Sequence, residues 1–434
     1  MPFQLKRAQA DVETVDRSVH DTVAAMLERI RTQREAAVRD YARSLDGWER
    51  DFVLDDAARE RLIASVPQGV KDDLRYAHDK VRRFAEAQRA SIREFSMETE
   101  PGITLGQRLV PVGCVGAYVP GGRYAHVASA IMTIATAKAA GVERVVAASP
   151  PRGETIDPAV CFAMDLAGAD TILQMGGVHA MATMAMGLFD LPRADVLVGP
   201  GNAYVAQAKR LLFGEVGIDV LAGPTETAII ADGDADAQLV AIDLASQAEH
   251  GPNSPAWLFT TSRDLGERVN GLMDRIARTW PSGETVAAAW RDHGEIVVCE
   301  TREEMAAVSD AYAPEHLQVM ADDLGWWRDR LRSYGSLFLG AGSTVTHGDK
   351  CSGTNHVLPT RGAARYTGGL NVMKYLKVLT WQEIAPGHRA VNAAASRISR
   401  VEGMDGHARA CDRRLREAHP DERWDFEVAL EELG

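Results

Sequence analysis

Four short runs between residues 110 and 199 decide the fold: VPVGCVGAYV (110–119), RVVAAS (144–149), TILQM (171–175) and DVLVG (195–199). Each is apolar and rich in β-branched residues, each is closed by Gly or Pro, and helical stretches separate them. A strand that reads as a continuous apolar run, rather than an alternating one, is covered on both faces. Strands separated by helices of this length pair in parallel, through right-handed crossovers. The four runs therefore predict one doubly wound lobe.

A second series follows it. ETAIIAD (226–232), AWLFTTS (256–262), EIVVCE (295–300), HLQVMAD (316–322) and SLFLG (336–340) are again interleaved with helical segments, across 235–249, from about 263, near 302–312 and around WWRDRLRSYG. Two consecutive series of this size imply two Rossmann-like lobes with a cleft between them. Upstream, charge-rich helical periodicity predicts helices near 16–46, 55–65 and 68–93. Downstream of Gly368 the strand signal fades, and residues 371–419 read as helices with a charged tail. The fold class is α/β: two doubly wound lobes with small helical domains at the N- and C-terminal ends.

Bulk properties exclude several functions. A formal charge of −13 over 434 residues argues against nucleic acid and anionic membrane as partners, and an anionic substrate would need basic groups placed locally. Residues 1–30 hold no uninterrupted apolar stretch, so no secretory signal is expected. The five cysteines (Cys114, Cys161, Cys299, Cys351, Cys411) form no CxxC pair and read as reduced thiols of a cytoplasmic protein.

Five segments could carry chemistry. VPGGR (119–123) and VGPGNAYVAQAKR (198–210) set glycines between strand and helix, which frees backbone N–H groups for a phosphate, although tight turns use glycine for their own reasons. In DLASQAEHGPNSPAW, Gln247 and His250 stand three apart at a helix end stopped by Gly251-Pro252, as a cation-binding pair or a cap. YAPEHLQV sets Glu315 beside His316 at a strand edge, where two titratable groups can divide base work or simply be a solvated Glu and a half-buried His. The polar stretch HGDKCSGTNHVLPTRGAARYTGG (347–369) reads as a long functional loop with Asp349 and His356 as ligand or base. Glu402 and His407, taken alone, are surface residues.

Together these segments resemble the histidinol dehydrogenase family over nearly the whole chain. The motifs AYVPGG, VGPGN, AGPTE, SQAEH, PEHL, GDxxSGTNHVLPT and a tail Glu-x4-His occur in order. The resemblance implies an interlocked homodimer with NAD and Zn²⁺ (Mn²⁺ as the alternative) as cofactors. It divides the chain into an arm (1–24), a first lobe (25–117 with 226–370), an NAD-binding lobe (118–225) and a C-terminal tail (371–434) that completes the partner's site. It makes Gln247, His250, Asp349 and His407 the metal ligands and Glu315 and His316 the proton-transfer pair. Tyr118, His179 and Asn202 become cofactor contacts, and Thr225, His356 and Glu402 become substrate contacts, beside the metal ligands and His316 that face the same substrate.

The chain departs from that pattern where substrate should sit. RYAHVAS follows PGG, with Arg123, Tyr124, His126 and Ser129, while His179 stands where Gln is usual. Lys350 follows the metal Asp, and Lys374 replaces an acid in LNVMKYLK. Added positive character suits an anion rather than an amino alcohol. RYAHVASAIM with GGLNVMKYLK resembles the sulfopropanediol 3-dehydrogenase branch, which implies oxidation of 2,3-dihydroxypropane-1-sulfonate to 3-sulfolactate with His126, Ser129 and Lys374 near the substrate. Oxidation of L-histidinol to L-histidine is the alternative, and a noncatalytic metal-binding dimer is the rival from another class.

Overall fold

The computed structural model describes residues 2–9, 17–121, 125–221 and 223–424. They fall into two compact units, bounded Met1–Ser91 with Pro111–Leu376, and Ile92–Val110 with Lys377–Gly434. Arg123 and Tyr124 lie outside the described residues.

The chain opens with strand β1 (Phe3–Lys6) and helices α1 (Arg17–Gln33), α2 (Glu35–Tyr41), α3 (Asp56–Ser65) and α4 (Gln68–Ala90). The single helix expected over 16–46 is broken: Arg34 takes φ 53°, which an α-helix cannot pass through, and the segment ends in a π-turn over Ala42–Asp46. α1 buries Val23, Met26, Leu27 and Ile30, and α4 buries Leu74, Ala77, Val81 and Ala85, each an i, i+3/i+4 stripe. Strands β2 (Phe95–Glu100) and β3 (Ile103–Pro111) then form an antiparallel hairpin. The helical reading of residues 1–100 missed β2 because all its positions are exposed, so no apolar alternation marks it.

The first parallel lobe comprises β4 (Cys114–Tyr118), α5 (Val127–Ala140), β5 (Arg144–Ser149), α6 (Pro158–Ala167), β6 (Thr171–Gln174), α7 (Gly177–Met186), β7 (Val196–Val198), α8 (Ala203–Leu212) and β8 (Gly217–Ile218). Its order is β6-β5-β4-β7-β8, so the direction of winding switches between β4 and β7. The domain division read from the sequence differs here. Helices α1–α4 pack on α5–α8, not on the other lobe. Val23, Leu27, Ile30 and Phe52 share one core with Val178, Met181, Val205 and Leu212. The stripe of α1 is buried against this lobe, and residues 52–54 extend its sheet: Leu54 N donates to Ile172 O and Gln174 N to Phe52 O.

The second lobe repeats the winding. It holds β9 (Thr227–Ala231), α9 (Ala237–Ala248), β10 (Ala256–Thr260), α10 (Arg263–Thr279), α11 (Gly283–His293), β11 (Gly294–Val298), α12 (Arg302–Tyr312), β12 (His316–Met320), α13 (Leu324–Arg330), β13 (Ser336–Leu339) and α14 (Val345–Lys350). The order is β1-β11-β10-β9-β12-β13, with β1 antiparallel at the β11 edge. The stretch 347–369 is not all loop, since α14 takes its first residues, Asp349 among them. The chain beyond α14 lies over α5: Asn355 Nδ2 donates to Met132 O at 3.0 Å and Tyr375 Oη to Thr133 O at 2.7 Å.

The second unit joins β2 and β3 to β14 (Leu376–Ile384), in the order β14-β3-β2, with α15 (Arg389–Val401) and α16 (Asp405–Ala418). The helical reading of 371–419 is corrected by β14, a largely exposed strand that carries no burial alternation. The Trp381 ring lies over Gly106, where a Cβ would sit 2.3 Å from it and force the ring to move. Val378, Leu379, Ile398, Val401 and Met404 are exposed on this unit.

Candidate active site

A run of contacts connects the carboxyl edge of the first sheet to the amino edge of the second. Ser129, in the first turn of α5, lies 2.8 Å from His356 Nε2, and His356 Nδ1 lies 3.0 Å from the Asp349 carbonyl. A carbonyl only accepts, so Nδ1 carries the hydrogen and Nε2 receives the Ser129 hydroxyl. Asp349 Oδ1 stands 3.3 Å from His316 Nε2, an ion-pair distance without the orientation of a hydrogen bond. His316 Nδ1 donates to the Glu226 carbonyl at 3.1 Å, and the Glu226 amide donates to Glu315 Oε2 at 2.9 Å. Thr225 and Glu226 precede β9 and Glu315 precedes β12, and these strands are neighbours. Two sequence-distant turns thus meet at one edge.

The electrostatics follow from burial. Glu315 is enclosed, which pushes its carboxyl above the usual range against the pull of His316. Burial opposes the His316 imidazolium, but Glu315, Asp349 and the Glu226 carbonyl together outweigh it and raise the imidazole. Burial acts against the Asp349 carboxylate, yet His316, His356 and Lys350 hold it well below the ordinary value. His126, the residue before α5, is lowered to about 4, first by burial and then by His356, Lys350, His250 and Arg152. That ring is neutral, and Lys350 and Arg152 are the cations that act on it.

Gln247, in the last turn of α9, is 2% exposed, and its Oε1 is buried with no hydrogen-bond partner. His250 follows in the turn after the helix. Burial lowers its pKa, and the charges of Asp349 and His316 reach it. An orphaned amide oxygen, a neutral imidazole and an ionised carboxylate are the donors a borderline divalent cation takes. The residues present fit a metal. Among the described residues, no three His, Cys, Asp or Glu side chains group as a metal cluster; the third donor in this chain is an amide. Glu402, which ends α15, and His407, in the first turn of α16, belong to the other compact unit.

The carboxyl edge of the first sheet presents the glycine turns at its switch point, the place where nucleotides dock in such sheets. Gly199 has φ +115°, and a Cβ there would lie 2.0 Å from the Tyr118 carbonyl, so only glycine lets β7 and β4 approach. Buried Lys209 braces the turn, bonding Gly199 O at 3.0 Å and pairing with Asp219, which accepts from Gly199 N at 2.7 Å. Asn202 Oδ1 caps α8 through the Tyr204 and Val205 amides, leaving Nδ2 as the group with hydrogens to offer. Tyr118 Oη accepts from Gly177 N at 3.1 Å, at the mouth of α7. His179 is 1% exposed and held by Asp46 at 3.0 Å. A recess of about 440 Å³ among Arg193, Asp195, Phe213 and Gly217 opens at the opposite edge of this sheet, away from these turns.

Lys374 lies in a 3-10 turn (Val372–Tyr375) packed on α4 and α5. Ser129 is fully buried and engaged with His356. Among the acids that the sequence reading passed over are the buried Glu226 and Asp243 and the half-buried Asp46. Asp46 carries no sequence signal. Glu226 sits beside Thr225 in AGPTE, and Asp243 stands one helical turn before Gln247, so both could have been found by spacing. No helix of the described residues is long and apolar enough to cross a membrane.

The histidinol dehydrogenase family model matches residues 7–415. The chain is 52% identical to the sulfopropanediol 3-dehydrogenase of Ruegeria pomeroyi, covering 97% of this chain and 98% of that protein. It is 40% identical to the histidinol dehydrogenase of Thermus thermophilus, covering 92% and 95%. The crystal structure of histidinol dehydrogenase from Elizabethkingia anophelis superposes with TM-score 0.88 at 29% identity, covering 94% of this chain and 95% of that one. By sequence and by fold, the chain belongs to the histidinol dehydrogenase family and is an oxidoreductase.

Proposed function

We infer that this enzyme oxidises a small anionic primary alcohol through its aldehyde to the carboxylate, with 2,3-dihydroxypropane-1-sulfonate and 3-sulfolactate as substrate and product. The observation that carries the reading is the setting of His126. In a chain of charge −13, the cations Lys350 and Arg152 both act on this ring, a local gathering of positive charge near Asp349. A sulfonate has a full negative charge and three acceptor oxygens, which fixed donors recognise. The Ruegeria pomeroyi relative bears the name of that activity.

Gln247, His250 and Asp349, with His407 from a second copy, would hold Zn²⁺ or Mn²⁺, and the glycine turns with Tyr118, His179 and Asn202 would hold NAD⁺. Bound there, the cation supplies Lewis acidity to a substrate hydroxyl and NAD⁺ supplies the hydride acceptor. The remaining work belongs to the chain. His316 takes the hydroxyl proton at Nε2 as hydride leaves the carbinol carbon. Glu315 takes a proton from the water that adds to the aldehyde, and the hydrate loses the second hydride. One alcohol and one water thus consume two NAD⁺ and release the carboxylate, two NADH and three protons. Thr225, His356 and Glu402 fix the substrate's remaining polar groups, and Lys374 joins His126 at the anion.

The second copy would cover the apolar positions exposed on the smaller unit, Ile398 and Val401 beside Glu402. Five free cysteines, an odd number, fit the reducing cytoplasm. The test is NADH release from a panel of sulfonate and amino alcohols. Turnover of dihydroxypropanesulfonate with histidinol inert supports the reading. The reverse would assign histidinol oxidation, and no turnover of any alcohol by metal-loaded protein would leave the noncatalytic dimer.

A further inference from the structure

The inward groups of the site ride on three separate elements. α9 and the turn after it carry Gln247 and His250, β12 carries His316, and α14 carries Asp349. Nothing in the chemistry above uses Asp243, yet its buried carboxylate touches all three elements. It lies on α9 one turn before Gln247 and so on the same face. Its Oδ2 accepts from Gln318 Nε2 at 2.8 Å, and its Oδ1 accepts from Thr344 Oγ1 at 3.2 Å. Gln318 is fully buried and stands two residues past His316, on the same side of β12. The same Nε2 donates to Ser343 O at 2.6 Å, so both partners are acceptors and the amide has one orientation.

Thr344 supplies the second observation. It is the N-cap of α14, where a threonine hydroxyl ordinarily bonds the free amides of the first turn. Here the hydroxyl caps nothing and is given to Asp243. The helix that carries Asp349 gives up a local stabilisation for a tertiary tether. Burial also pushes the Asp243 carboxyl above its ordinary range, a cost that an apolar residue would not carry.

We propose that Asp243 is the positioning residue of the metal site. Its carboxylate fixes the spacing of α9, β12 and α14, and through them the spacing of Gln247, His250 and Asp349, without touching the ion. This rests on the ligand set inferred above.

The experiment strips the full-length protein with a chelator and titrates Zn²⁺ against a chromogenic competitor. Asp243→Ala should weaken Zn²⁺ binding about 10- to 100-fold, the usual effect of losing an outer-shell partner. Asp243→Asn should stay within about 3-fold of wild type, since the amide oxygen can take the place of Oδ2 toward Gln318 and the amide nitrogen can donate to the Thr344 hydroxyl. Thr344→Val removes one tether and no cap, and should fall between them. The melting temperature of the metal-free Asn and Val variants should match wild type, while the rise on adding Zn²⁺ should shrink for Val. If Asp243→Ala does not fold, Thr344→Val and Asp243→Asn decide alone. Wild-type affinity in both the Ala and Val variants would overturn the proposal, as would an Asn variant as weak as Ala, because charge rather than tethering would then be at work. Wild-type protein that takes up no Zn²⁺ would overturn the ligand set itself, and this inference with it.

Discussion

His316 turns its Nδ1 to the backbone carbonyl of Glu226, 3.1 Å away. That contact fixes a hydrogen on Nδ1, so the proton that His316 exchanges is the one at Nε2, the nitrogen beside Asp349. Glu315 is held differently, by the Glu226 amide on Oε2. One residue thus orients both members of the pair, and the two face different protons. His316→Gln should lower kcat about 10²- to 10⁴-fold for alcohol oxidation. Glu315→Gln should spare the first oxidation and stall the second, so NADH per alcohol falls from two towards one and a carbonyl reagent traps aldehyde. Equal loss of both steps in Glu315→Gln would refute this division of labour.

The parallel lobes were legible because most of their strands are buried on both faces, and burial writes itself as unbroken apolar runs such as those of β4, β5 and β7. β2 and β14 were not, because their side chains are largely exposed and any polar residue serves there. The packing of α1–α4 on the β4–β8 lobe was hidden for a related reason: an apolar stripe tells that a helix is covered, not by what. At the site, Gln247, His250, Glu315, His316 and Asp349 were found as residue types at telling spacings and in family motifs. Glu226 and Asp243 were passed over, although their work is done by placement, the one through its backbone and the other through a carboxylate that meets no substrate.

Glu226 gives the protein a pH signature. Its Oε1 accepts from the Arg361 amide at 2.7 Å, its Oε2 is buried without a partner, and burial, opposed by Arg361, raises the carboxyl to about 7. A folded-state value above the unfolded one, near 4.3, means the fold favours the protonated form. The contribution is whole below about pH 4 and is lost as pH rises through 7. The metal-free protein should therefore melt progressively lower from pH 5 to pH 8. Glu226→Gln should lose part of that slope, worth up to about 3 kcal/mol at pH 8. Superimposable pH profiles of Tm for the two proteins would exclude the carboxyl as the cause.

Glu402 and His407 belong to the smaller unit, which also exposes Ile398, Val401 and Met404. If these residues complete a second copy's site, two inactive variants can repair one another. His407→Ala mixed with His316→Ala should regain activity after subunit exchange, up to about a quarter to a half of the sites, while each alone stays below 1% of wild type. No recovery after exchange verified by mass spectrometry would mean that each site is built within one chain.

Substrate charge separates the two enzyme readings most sharply. His126 lies half-buried before α5 with Lys350, Arg152 and His356 acting on it, and Lys374 lies in the turn packed on α5. Removing a donor that bonds a charged acceptor costs about 1.5–3 kcal/mol, or roughly 10- to 150-fold in kcat/KM. His126→Ala and Lys374→Ala should each cost dihydroxypropanesulfonate turnover a factor in that range, chiefly through KM, with zinc content and the KM for NAD⁺ unchanged. The neutral His126 ring can donate one hydrogen bond, so His126→Gln should recover part of the loss, whereas a group acting by charge alone would recover nothing. The Lys374 contribution should weaken as salt is raised, because a half-exposed ammonium is screened. If both variants kept the wild-type KM for the sulfonate, the anion would have to be bound elsewhere, and Lys350 and Arg152 would be the next side chains to replace.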